Sequence, residues 1–235
     1  PYLRDQFDLG QIIKSRTLRT CGIGESTLDA HIGDLEESVN PTVGLAAHPG
    51  QSDIRVTAKA DSEAEADAML ADMEAQVRAR VDEFIFGVDD DRLASVVVDL
   101  VRERSLTVAA AEVNASGLLS SWLSDADPGG RSFKGAWVLP ESYDWIEGAD
   151  DVRPSDPRQE ALKLARAVRA DAGADLGLAI VNRGPDEAQI VVADRDQVYD
   201  RSTRFRGHEP HSHHWLASMA LDLIRRRCLG LPDPA

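Results

Sequence analysis

Residues 11–89 change hydrophobic character in the order strand, helix, strand, strand, helix, strand, and that order leaves few folds open. Positions 11–20 (QIIKSRTLRT) alternate and carry β-branched side chains, and Gly22 and Gly24 follow as a turn. Leu28, Ile32 and Leu35 then recur at spacings of four and three, one face of an amphipathic helix opened by Ser26. Asp29, three residues after Ser26, completes an approximate capping box. Asn40-Pro41 is expected to end this helix, because the residue before a proline is pushed out of the helical region.

Period two takes over at Val43 and Leu45 and again at Ile54, Val56 and Ala58, giving two strands, 42–47 and 53–60, joined through Pro49-Gly50. Ser62 caps a long helix to about residue 81, with Glu63, Glu65 and Asp67 at its positive end. Phe84-Ile85-Phe86 closes the segment as a short strand. The result is a β-α-β-β-α-β sandwich of the α+β class.

Beyond Asp89-Asp90-Asp91, a plausible linker or helix start, strands alternate with helices and an α/β layered domain is expected. The predicted order is helix 91–104, strand 106–113, a helix from about 115, strand 133–139 and helix 156–172. Strands 176–182, 188–193 and 197–205 and a helix over 212–227 complete it.

Composition narrows the functional classes. A net charge of −15 supplies no basic face for a phosphate backbone, so no nucleic-acid partner is expected. No apolar run approaches the roughly 20 residues that cross a bilayer, so no membrane partner is expected either. Cys21 and Cys228 are isolated and follow no metal or redox spacing, which fits a cytoplasmic chain.

The stretch 15–26, SRTLRTCGIGES, resembles the start of the KH-like middle domain of the competence/damage-inducible CinA family. The likeness continues through Leu28, Asp34-Leu35, Asn40-Pro41, Ile54-Arg55-Val56-Thr57 and Ile85-Phe86-Gly87. A KH site clamps RNA with a G-x-x-G loop and basic neighbours. This chain has Gly22-Ile23-Gly24-Glu25 in an acidic surround instead. The second segment resembles the family's C-terminal domain, through Leu106-Thr107, Ala111-Glu112, Gly117-Leu118-Leu119, Phe133, Gly135, Gly173-Ala174-Asp175, Gly177 and Ala220-Leu221-Asp222-Leu223. The resemblance implies three parts: residues 1–10 as the end of a preceding domain or linker, 11–89 as the KH-like domain, and 90–230 as the amidohydrolase-like domain. Pro1-Tyr2-Leu3 is similar to the end of the family's molybdopterin-binding-like first domain, whose activity these residues would not carry.

In active members the C-terminal domain hydrolyses nicotinamide mononucleotide to nicotinic acid mononucleotide and ammonia. Such chemistry needs an activated hydroxyl, a base and donors for the oxyanion. The resemblance puts the nucleophilic serine directly after Ala-Glu, where this chain has Val113, followed by Asn114, Ala115 and Ser116. It puts the tyrosine at Pro140 and the basic lysine at Trp145; using Tyr143 instead would slip the strand match by three residues. The threonine-glycine loop is shortened to Val181-Asn182-Arg183-Gly184-Pro185, and the family arginine falls at Glu209 or His213. No family catalytic group is retained. The resemblance thus implies a vestigial pocket near Glu112, Asn114, Ser116, Gly117, Asn182 and Gly184, for a nicotinamide or related nucleotide, in a homodimer without a cofactor. Three functions stay open: a non-catalytic binding or regulatory module, an amidohydrolase with rearranged residues, and a metal-binding protein.

The third rests on His208, His211, His213 and His214 beside Glu209, which as a loop could wrap zinc or nickel. Its plainer reading is a solvated loop with Ser212 capping the last helix, and no metal is expected. Ser116 as a displaced nucleophile competes with a serine satisfying backbone donors at a helix N-terminus. Trp137 and Trp145 are candidates for ring stacking or for core packing. The acidic residues 141–151 read as a solvated loop. Arg225-Arg226-Arg227 reads as charge at a helix C-terminus that needs no partner.

Overall fold

A computed structural model describes residues 11–143, 156–184, 187–203 and 209–232, with backbone alone for 209–211. Contacts divide the chain into two units between Asp91 and Arg92.

In the first unit, β1 (Ile12–Cys21), β2 (Thr42–His48), β3 (Gln51–Ala60) and β4 (Ile85–Val88) form one antiparallel sheet in the order β2-β3-β1-β4. Helices α1 (Glu25–Glu36) and α2 (Glu63–Val81) supply Leu28, Ile32, Leu70 and Val77 to a core shared with Leu18, Ile54 and Val56. The period-two and period-3.6 positions read from sequence are the ones that meet. Ser62 is the N-cap of α2 and its side chain accepts from the Glu65 amide. Helix α1 departs from expectation at both ends. Gly24 is its N-cap, with no side-chain cap bond, so Ser26 and Asp29 form no capping box. It stops at Glu36, ahead of Asn40, whose side chain instead exchanges hydrogen bonds with the Lys59 backbone at 2.8 and 2.9 Å. The aspartates expected as linker make an ordered turn: Asp89 accepts from the Thr17 amide and Asp91 from the Val88 amide.

In the second unit, β6 (Phe133–Leu139), β5 (Val108–Val113) and β7 (Leu176–Asn182) run parallel, and β8 (Ala188–Ala193) and β9 (Val198–Thr203) continue the sheet antiparallel. Helix α5 (Pro157–Asp171) covers one face, setting Ala161, Leu164, Ala165 and Val168 against Ala109, Ala111, Ala179 and Val191. Its approach is close enough that a Cβ on Gly177 would lie 1.8 Å from the Ala165 carbonyl oxygen, so only glycine fits there. Helices α3 (Leu93–Glu103), α4 (Leu118–Ala126) and α6 (Glu209–Leu229) pack together as a further layer, α4 also against β6 and α6 against β8.

Three expectations fail here. Helix α4 begins at Leu118 rather than near 115, because Asn114, Ser116 and Gly117 all take left-handed backbone conformations. Helix α6 begins at Glu209, so Ser212, His213 and His214 lie inside a helix and Ser212 is not its cap. Arg225 and Arg226 are 1% exposed and bound to the fully buried Asp222, and Arg227 pairs with Asp194 at 2.9 Å. These arginines are structural ion partners, not solvated charges facing a helix dipole.

Candidate functional site

Parallel strands gather their following loops at one end of the sheet, the usual place for a ligand in an open α/β domain. The residues picked out from the sequence end β5 and β7 or follow them at that end, but they divide between the two faces. Alternation along β5 sends Val113 to the α5 side and Glu112 to the other.

Val113 is 0% exposed and shares a core cluster with Tyr143, Ala161, Leu164 and Val181. Tyr143 is 2% exposed and donates its phenolic hydrogen to Glu160. Arg183, in the loop after β7, donates to both Glu160 oxygens at 2.8 and 2.6 Å and to the Glu141 carbonyl at 3.2 Å. A phenol, a buried carboxylate and a guanidinium therefore occupy the α5 side of this sheet end. Sequence reasoning missed Glu160 and Arg183 as a pair, since 23 residues and no motif separate them. It had set Tyr143 aside on register alone. Pro140 is exposed just after β6, and Trp145 lies outside the described residues.

On the other side, Glu112 is fully buried and accepts from the backbone amide of Ser120 at 2.8 Å and from its hydroxyl. Its Oε2 has no partner among the described residues. Burial raises the Glu112 carboxyl above the usual range, against the lowering effect of the Ser120 and Leu119 bonds. The carboxyl thereby takes donors in the first turn of α4 that an oxyanion would otherwise use.

The loops are laced together over the sheet end. Asn182 Nδ2 donates to the Asn114 carbonyl at 3.0 Å, and Asn114 Nδ2 returns a bond to the Asn182 carbonyl at 3.3 Å. Asn182 Oδ1 accepts from the Gly184 amide. Gly117, at φ +70, lies so close to Val138 that a Cβ would reach 3.3 Å from its side chain.

Ser116 precedes α4 and does not cap it; its Oγ lies 2.6 Å from Nδ1 of His213 on α6. This pairing across 97 residues was not foreseen, and the backbone-donor role expected for Ser116 is corrected by it. His214 faces the edge of the Trp122 ring at 5.7 Å. His208 lies outside the described residues, as does the side chain of His211. The supposed histidine loop is partly helix, and among the described residues no three His, Cys, Asp or Glu side chains are grouped to hold a metal. Trp137 is half-buried against the α5-side core and donates to Asp171 at 3.3 Å. Most of the acidic stretch 141–151 falls outside the described residues.

Residues 15–87 match the family model for the damage-inducible protein CinA KH domain. A CinA-like protein of Dictyoglomus thermophilum is 32% identical over 98% of this chain and 60% of its own length. Another, of Frankia casuarinae, is 31% identical over 94% of this chain and 56% of its own. The chain thus spans a little over half the length of these relatives. Among solved structures, a CinA superfamily protein of Klebsiella pneumoniae superposes with a TM-score of 0.53 at 17% identity, over 59% of this chain and 96% of that one. One from Escherichia coli gives 0.51 at 18% identity, over 57% and 88%.

Proposed function

Because the chain belongs to the CinA family, with a KH-like α+β unit followed by a mixed α/β domain, we propose that its second unit is a non-catalytic, ligand-binding or regulatory form of the family's amidohydrolase domain. One observation carries this reading. At the strand end where the resemblance requires an attacking hydroxyl stands Val113, wholly buried beneath a tyrosine tied to Glu160 and Arg183. An aliphatic side chain can neither attack a carbonyl nor hold a proton in flight, and a sealed position admits no substrate. Incubation of the chain with nicotinamide mononucleotide is expected to release no ammonia above buffer. Turnover near about one per second, an ordinary enzymatic rate, overturns the proposal.

A nicotinamide-type nucleotide remains the ligand to try first, and sedimentation tests the homodimer that the family resemblance implies. No RNA role is proposed for the KH-like unit: the chain's net charge is −15, and Arg16, Arg19, Arg78 and Arg80 are each engaged by a carboxylate. We place the chain in the cytoplasm, in keeping with two buried free thiols. Among the described residues no helix is long and apolar enough to cross a membrane.

A second reading is favoured by Ser116 and His213. At 2.6 Å, Nδ1 can take the Oγ proton as the oxygen attacks an acyl carbon, and return it to the leaving group. This would be hydrolysis by rearranged residues rather than the family's arrangement. A fluorophosphonate probe separates the two: the binding-module reading expects no serine adduct, whereas labelling abolished by Ser116→Ala establishes the hydrolase.

A further inference from the structure

Glu112 stands apart from the other buried carboxylates of the second unit, because it meets no cation among the described residues. Glu160 has Arg183 at 2.6 Å, and Asp222 has Arg225 and Arg226 at 2.8 and 3.0 Å. Asp127 accepts from the Ser132 and Phe133 amides at 2.6 and 2.8 Å, with Arg102 at 3.6 Å. Glu112 has Val138 and Ile180 beside it across the sheet. Its donors, the Leu119 and Ser120 amides and the Ser120 hydroxyl, all belong to the first turn of α4, and none reaches Oε2.

The helical layer over this face brings Glu112 no charge. On α6, Arg225 and Arg226 are taken up by Asp222, His213 faces Ser116 and His214 faces Trp122. On α3 and its caps, Arg102 is bound to Asp99 at 2.7 Å, and Arg92, Glu103 and Arg104 are exposed. Asp125 on α4 is exposed, and Arg201 on β9 turns to Asp222 at 3.5 Å. A neutral carboxyl is tolerable in such a place. A carboxylate with one dry oxygen and no cation is not, and burial accordingly keeps the proton on Glu112 above the usual glutamate range. Water is close by: Asn114, two residues on, is exposed, and the turn 114–117, left-handed at three positions, is all that joins β5 to α4.

We propose that Glu112 is a proton-operated clamp on the start of α4. Neutral, it ties the first turn of that helix to β5; ionised, it turns toward water and loosens that turn together with residues 114–117. The clamp is closed in acid. It eases as pH climbs from the ordinary glutamate value through the raised one, a window in which the closed state still holds a proton that the loosened state has lost. The device regulates the sheet end assigned above to ligand binding, and rests on that reading only for what is regulated.

Amide exchange in the whole chain, resolved by NMR and corrected for its intrinsic pH dependence, tests this without a ligand, so its failure is separate from failure of the binding reading. Protection of the Ser120 and Ser121 amides should fall by up to about tenfold per pH unit across that window and then level, while the amides of β7 hold. Glu112→Gln, which keeps an acceptor oxygen but cannot ionise, should abolish the fall; His213→Gln should keep it. Ser120→Ala removes a hydroxyl that favours the carboxylate, so the levelling point should move to higher pH, and this variant reads the same clamp if Glu112→Gln does not fold. Protection independent of pH, a fall that persists in Glu112→Gln or vanishes in His213→Gln, or an equal fall in β7 overturns the proposal.

Discussion

In the KH-like unit arginines meet carboxylates at the surface, whereas in the α/β unit charges are taken into the core. Arg16 and Arg78 bracket Glu74 with a third or more of each arginine side chain exposed, and Lys14 and Asp67 pair in the same way. Burial pushes the Glu74 carboxyl up, but its two arginines more than offset that and hold it low. Exposed pairs of this kind contribute little to stability, so this unit rests on its apolar periodicity. The second unit instead encloses Glu112, Glu160, Asp222, Arg225 and Arg226. Each ion costs several kcal/mol to desolvate and is tolerable only when its partners are in place. The first unit should therefore tolerate the loss of a surface ion such as Arg16 better than the second tolerates the loss of Asp222.

The largest test of that difference is Asp222→Ala. It strands Arg225 and Arg226 without their shared carboxylate and should cost about 3–5 kcal/mol. Hydrogen exchange should show the loss in the second unit alone; an equal loss in the first breaks the comparison. The pH dependence has a definite sign. Burial raises the Asp222 carboxyl, but Arg225 and Arg226 more than reverse this and leave it below the ordinary value. Its contribution is therefore present above the unfolded carboxylate pKa and is lost as pH falls through the lower folded value. Glu112 has the opposite slope: its raised carboxyl makes the unit less stable as pH climbs from the ordinary glutamate value through the folded one. Acid titration of the unit with and without Asp222 checks both directions.

The same contrast explains what was legible in the sequence. Strands 176–182 and 188–193 match the structure to the residue, because buried runs bounded by turn signals need no long-range information. In the first unit Leu28, Ile32, Ile54 and Val56 were readable by period alone, and all are fully buried. Tertiary pairing was not readable. Arg225 and Arg226 follow a sequence rule for helix ends, and their burial depends on where α6 packs. Ser116 was read by its neighbours in sequence, but its conformation is left-handed and its partner comes from another helix. Val113 could be recognised as a missing nucleophile; that Tyr143, Glu160 and Arg183 fill the space beside it could not.

A smaller effect should come from Tyr143→Phe. The ring still packs against Val113, but Glu160 loses a donor in a fully buried position, worth about 1–3 kcal/mol. Thermal unfolding followed by tryptophan fluorescence measures it. If the variant were unaffected, the phenol would not be a structural tie.

The smallest effects set one substitution against itself in the two units. Ser62→Ala removes an oxygen that accepts from the Glu65 amide and should cost about 1 kcal/mol, seen as earlier exchange in α2. Ser116→Ala removes an exposed hydroxyl that satisfies no backbone donor at the start of α4, and its partner His213 is not wholly buried. Stability should change by no more than about 0.5 kcal/mol, the range for surface positions. A loss comparable to that of Ser62 would make the Ser116–His213 bond a tie between the 114–117 turn and α6. A negligible loss, with no fluorophosphonate adduct to the original chain, leaves it an ordinary surface contact beside a site already filled from the other face.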